Sequence, residues 1–242
     1  MNEPNFEFRK TVVKALTGSH NYNLNTPKSD EDFKYFVAPT FDDLYFNRMF
    51  ATSSQSETMD YDAHDVRKLA ELVWKANVNF IEVLFSKNVW WANGLNDLFT
   101  LRNRWATMNL PGFRNATYGT HKQKMGSLLK GTATTQPDVE KFGYDPKQAC
   151  HAVRCLYVLE DYARTQNMAQ TLWYPDNSER RETLLKLKAG YYTLDSVYSL
   201  VEGWHTVRKN EVMAFYDAQE ARPEDRDEMN EIVYKFVKAS LE

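Results

Sequence analysis

Three features within residues 18–62 could do chemistry together: a Gly18-Ser19 pair after an apolar run, the alternating acids Asp30 and Asp32 that begin eleven residues after Ser19, and a second alternating pair, Asp60 and Asp62. Side chains two apart on a strand point to the same side of a sheet. Two carboxylates held side by side repel each other unless a cation sits between them, and hard oxygen ligands suit Mg2+ or Mn2+. A Gly-Ser turn offers backbone N–H groups and a hydroxyl, which are the means to grip a phosphate. A metal pair beside a phosphate grip describes nucleotidyl transfer. That chemistry calls for a third carboxylate from a neighbouring strand. The segment MDYDA, residues 59–63, offers Asp60 and Asp62 on one face and does not choose between them.

The spacing alone is not specific. Residues 126–140, GSLLKGTATTQPDVE, repeat it, with Ser127 eleven residues ahead of the alternating acids Asp138 and Glu140. Flanking sequence separates the two copies. Gly18 follows a strand-like run and Asp32 opens another, whereas Gly126 lies in a polar, helical stretch and no strand pattern follows Glu140.

The positioning elements read as follows. Residues 11–17, TVVKALT, form a short β-branched strand that stops at Gly18. Residues 32–38 form a second, with Phe33, Tyr35 and Val37 on one face and Pro39 as its stop. Residues 49–53 and 57–63 suggest two more strands joined by a polar turn. From residue 64 the period changes to that of helices, first with Val66, Leu69, Ala70, Val73 and Trp74 on one stripe. Further helices are expected over 95–108, 118–130, 146–166, 179–189 and 194–217, and a last one started by Pro223 with Met229, Ile232, Val233, Phe236 and Val237 as its apolar stripe. NLPGF (109–113) and TATTQPDVEKFGYDP (132–146) read as loops. The expected architecture is α+β: a small mixed sheet in residues 1–64, then a helical region, 65–242, that forms the other wall of the site.

Composition narrows the function. With a net charge of −3 and 14% aromatic residues the chain is a packed globular protein and not a nonspecific duplex-DNA binder. Its two cysteines, Cys150 and Cys155, would face different sides of a helix and could not bridge, which suggests a reduced, cytosolic protein. The first ten residues lack a signal-peptide core, and no run is long enough to span a membrane. Lys122 and Lys124 read as a solvated helix face, Trp90 and Trp91 as packing between the two parts, and His20 as a residue beside the Gly-Ser turn. His64, His121 and His205 have no metal-ligand spacing.

GSHNYNLNTPKSDEDFKYFV resembles the signature of the DNA polymerase β-type nucleotidyltransferases, within them the predicted nucleotidyltransferases of the RNA-ligase-associated group. There a Gly-Ser turn leads through Tyr, Leu and Thr-Pro to Ser-Asp-x-Asp, as Tyr22, Leu24, Thr26, Pro27, Ser29, Asp30 and Asp32 do here. The group usually has Gly after the Tyr, where this chain has Asn23. DVRKLAELVWKANVNFIEVLFS and GYDPKQACHAVRCLYVLEDYA are similar to two of its later helical blocks. The resemblance implies transfer of a nucleoside monophosphate from an NTP to a hydroxyl on an RNA end, a protein side chain or a small molecule, with release of pyrophosphate. It also implies metal ligation by Asp30, Asp32 and a third acid, for which it favours Asp60 and leaves Asp62 open. Gly18 and Ser19 would hold phosphates. Lys147, His151 and Arg154 would meet the nucleotide or acceptor. The rival expectation is a catalytically idle module of the same fold that binds nucleotides or RNA ends.

Overall fold

The computed structural model of the chain describes residues 4–27, 29–56, 59–132 and 134–241. They form two compact units, the first built from residues 1–109 and 221–242 and the second from 110–220. Among the described residues no helix is long and apolar enough to cross a membrane.

The first unit is built on a five-stranded mixed sheet. In chain order the strands are β1 (Thr11–Thr17), β2 (Glu31–Val37), β3 (Ala51–Ser54), β4 (Met59–Asp65) and β5 (Val89–Trp91), arranged β3-β4-β2-β1-β5. Only β2 and β4 run parallel; every other pair is antiparallel. The helices of this unit are α1 (Gly18–Tyr22), α2 (Phe41–Tyr45), α3 (Leu69–Trp74), α4 (Val78–Leu84), α5 (Asn96–Thr100) and α6 (Arg102–Ala106), and the chain returns to it with α14 (Pro223–Ala239).

Strand alternation sorts the sheet into two faces. On one, Tyr35, Val37 and Ala63 join Phe6 in a buried cluster against which Phe33, Phe50 and Tyr61 pack, as the spacing of Phe33, Tyr35 and Val37 predicts. The other face carries Asp32, Lys34 and Phe36 of β2 beside Asp60, Asp62 and His64 of β4. Phe80 of α4 covers part of it, 5.4 Å from the His64 ring and 4.9 Å from the Lys34 ammonium. The chain between β2 and β4 is fixed by a reciprocal cap: Asp43 N–H donates to the Thr40 hydroxyl and Thr40 N–H to the Asp43 carboxylate. The buried Asp43 also pairs with Arg9 at 2.7 Å, and that guanidinium holds its carboxyl far below the usual range.

The second unit is helical: α7 (Leu110–Met125), α8 (Gln136–Phe142), α9 (Pro146–Thr165), α10 (Met168–Leu172), α11 (Glu179–Lys188), α12 (Leu194–Val207) and α13 (Lys209–Asp217). Asp145 caps α9 and Pro146 opens it. That helix is the hub, with α7, α10, α11, α12 and α13 all packed against it. Cys150 and Cys155 are buried on it as free thiols, and burial pushes Cys150 up to about 11.

Several expectations need correction. NLPGF is not a loop: α7 starts at Leu110, with Pro111 in its first turn, where proline lacks only an N–H that would be unpaired anyway. The expected helix over 118–130 therefore begins earlier and ends at Met125. The stretch 132–146 contains α8, apart from Ala133, which lies outside the described residues. The expected helix 194–217 is two, broken at Arg208, and 95–108 is also two. Trp90 and Trp91 lie in β5, a strand the sequence pattern does not predict, paired with Lys14 and Val13; the pairing does not bear on their expected packing between the two parts. The strand expected from 57 is β4, whose described part starts at Met59; Glu57 and Thr58 lie outside the described residues.

Candidate active site

Parallel pairing of β2 with β4 sets the geometry. Its register places Asp32 beside Asp60, Lys34 beside Asp62 and Phe36 beside His64. Asp30 precedes Asp32 by two residues. Carboxylate oxygens of Asp30, Asp32 and Asp60 lie within 4.8 Å of one another, and all three residues are partly buried. Asp62 is one rung further on. Its Oδ2 lies 2.9 Å from His64 Nε2 and 3.0 Å from Lys34 Nζ. Burial opposes its charge, but the His64 ring and the Lys34 ammonium outweigh that and hold its carboxyl down at about 2. The two acids of MDYDA thus stand in different surroundings: Asp60 with Asp30 and Asp32, Asp62 in an ion cluster of its own.

The Gly18-Ser19 turn is joined to the same carboxylates. Gly18 has φ of +67°, and a Cβ built on it would lie 2.1 Å from Asp32 Oδ2. Glycine is required here twice, for its backbone conformation and for its closeness to Asp32. The turn opens the short helix α1, which ends at Asn23 in the left-handed conformation, φ 64° and ψ 36°. Gly and Asn are the residues that tolerate this conformation, so Asn23 fills the position where glycine is usual without strain.

The expectation that the turn presents unengaged N–H groups fails for Gly18. Its N–H donates to Glu82 Oε2 at 3.0 Å, and Asn21 Nδ2 reaches the same oxygen at 3.4 Å. Glu82, on α4 and 2% exposed, is a positioning residue to which the sequence reading gave no role. Its only signal was its place in DVRKLAELVWKANVNFIEVLFS, the segment that resembles one of the group's helical blocks. The residues between the turn and β2 are also tied: His20 Nε2–H donates to Ser29 O at 3.3 Å, and Thr26 N–H to Ser29 Oγ at 2.9 Å.

Lys147, His151 and Arg154 gather in the helical unit, on one side of α9. Lys147 is exposed in the first turn, and Arg154 is 7% exposed. His151 is driven down to about 3, mainly by burial and further by Arg154, Lys124, Lys147 and Lys188 around it, so the ring is neutral at physiological pH. The second copy of the acid pattern falls differently. Asp138 and Glu140 lie exposed on α8, and residues two apart on a helix diverge.

A model of the RNA repair pathway DNA polymerase beta family matches residues 5–235, both units included. The chain belongs to that family. Comparison with curated proteins returns no match. The family is of the polymerase-β nucleotidyltransferase type, whose chemistry usually uses a divalent cation. The Asp30, Asp32 and Asp60 group, made of oxygen donors alone, has the composition such a hard cation requires.

Proposed function

We propose that the chain transfers a nucleoside monophosphate from an NTP to a hydroxyl acceptor and releases pyrophosphate. The observation that carries this reading is the β2–β4 register, which gathers three carboxylates beside a glycine turn. Asp30 and Asp32 would hold Mg2+ or Mn2+ jointly, and Asp60 would complete the group. A cation so held supplies charge to offset that developing on the phosphate oxygens. Asp60 orients the acceptor hydroxyl and takes its proton as the new O–P bond forms and the bond to pyrophosphate breaks. Ser19 contributes its hydroxyl to the phosphates, and Gly18 lets the turn lie against Asp32. Asp62, already engaged by Lys34 and His64, keeps β2 and β4 in register. Within the helical unit, Lys147 and Arg154 around a neutral His151 form a positive group of the kind that suits a phosphate. The family's description favours an RNA end as the acceptor.

The reading is tested by incubating the protein with α-labelled NTPs, RNA oligomers and Mn2+, then following pyrophosphate and labelled RNA. Metal-dependent release that disappears in Asp32→Asn supports it. Retention of NTP with no turnover under any metal would replace it with a binding module.

A further inference from the structure

The helical unit contains a feature to which the proposed transfer assigns no role. An open groove of about 940 Å³ runs between α7 and α12. Tyr118 and Lys122 line it from α7, and Tyr198, Glu202, Gly203 and His205 from α12. Tyr118 is held from several sides. His121 stacks on it at 5.5 Å, and its hydroxyl lies 3.4 Å from His205 Nε2. The ammonium groups of Lys122 and Lys209 lie 4.9 and 5.9 Å from the centre of its ring. Tyr198 is 44% exposed on the other wall.

Gly203 adds an independent observation. It lies inside α12, where glycine weakens a helix. Apart from its chain neighbours and the backbone of its own helix, no described atom lies within 4 Å of the place its Cβ would occupy, as is also true of Gly119 on α7. The lack of a side chain at Gly203 leaves the helix backbone open on this wall of the groove.

Aromatic faces with ammonium groups beside them match one ligand chemistry: a flat base joined to a phosphate. A duplex keeps its bases stacked on one another, so only a single strand can lay a base against the exposed Tyr198, with the ammonium groups over Tyr118 beside it. Glu202 is the one carboxylate among the lining residues. It repels phosphate but accepts a hydrogen bond from a ribose 2′-hydroxyl, which DNA lacks. We propose that this groove binds an unstacked base of single-stranded RNA, with the adjoining phosphate on Lys122 and Lys209. The assignment is independent of the proposed transfer chemistry.

Fluorescence anisotropy of the full chain with a labelled single-stranded RNA of about ten nucleotides tests it. EDTA is present and NTP is left out, so the result does not depend on catalysis. The expected outcome is salt-sensitive binding, weakened about tenfold by Tyr198→Ser and by Lys122→Gln, with weaker binding of single-stranded DNA and of duplex RNA. Tyr191→Ser, which removes an exposed tyrosine that does not line the groove, should bind as the wild type does. Both groove positions are exposed, and a circular dichroism melt confirms that the variants fold. Absence of RNA binding, equal binding by the groove variants, or equal affinity for duplex would overturn the assignment. So would groove variants that alter only self-association in sedimentation.

Discussion

At the scale of single residues, two residues shape the candidate site without touching a substrate. Gly18 allows the turn to lie against Asp32, so Gly18→Ala forces the Asp32 carboxylate aside and strains a positive φ. Turnover should fall by more than the loss of stability explains; stability measured by urea denaturation beside kcat separates the two. Glu82 accepts the Gly18 N–H and the Asn21 amide from a buried position. Glu82→Ala leaves those donors without their acceptor, at about 1–3 kcal/mol, whereas Glu82→Gln keeps an acceptor and should cost less. Equal losses in the two variants would contradict that role. Asp30 and Asp32 are legible because they alternate ahead of a strand pattern, and Gly18 because it ends a strand-like run. Glu82 is not, because it reaches the turn from a helix more than sixty residues away.

At the scale of elements, legibility followed period and length. β1 and β2 emerge within a residue of expectation because β-branched and aromatic residues alternate between clear stops. β5 was missed because three residues, VWW, are too few to show a period, and only pairing with β1 makes them a strand. Pro111 beside Gly112 carries a loop signal, although proline equally suits a first helical turn. The choice between Asp60 and Asp62 needed the register, since alternation puts both on one face. Helix α9 yields a pH prediction through His151. Its ring resists protonation down to about pH 3, while in the unfolded chain it takes a proton near 6.5. Between those values the unfolded state binds more protons, so stability is lost as pH falls, by up to about 1.4 kcal/mol per pH unit. Stability curves for the wild type and His151→Gln should diverge from pH 6.5 downward, the variant falling less steeply. Parallel curves would show that His151 titrates normally.

At the scale of the whole molecule, the family match spans both units, yet the first unit is discontinuous in sequence and needs the far end of the chain. Helix α14 packs on α3 and buries Met229, Val233 and Val237. Its buried Asp225 pairs with Arg104 and Arg222, each at 2.6 Å. Burying such apolar side chains is worth about 1.5–3 kcal/mol each, which together rivals the total stability of a domain. A chain ending at Glu220 should therefore lose the cooperative melting of the sheet unit; an unchanged melting profile would contradict this dependence. The central claim is that the β2–β4 register makes Asp30, Asp32 and Asp60 the working carboxylates. Its most direct test is kcat for metal-dependent pyrophosphate release in Asp60→Asn and Asp62→Asn, measured side by side with the wild type. Asp60→Asn should lose about a hundredfold or more, as removal of a general base does, while Asp62→Asn stays within a few-fold. The reverse order, or two variants as active as the wild type, would contradict the account.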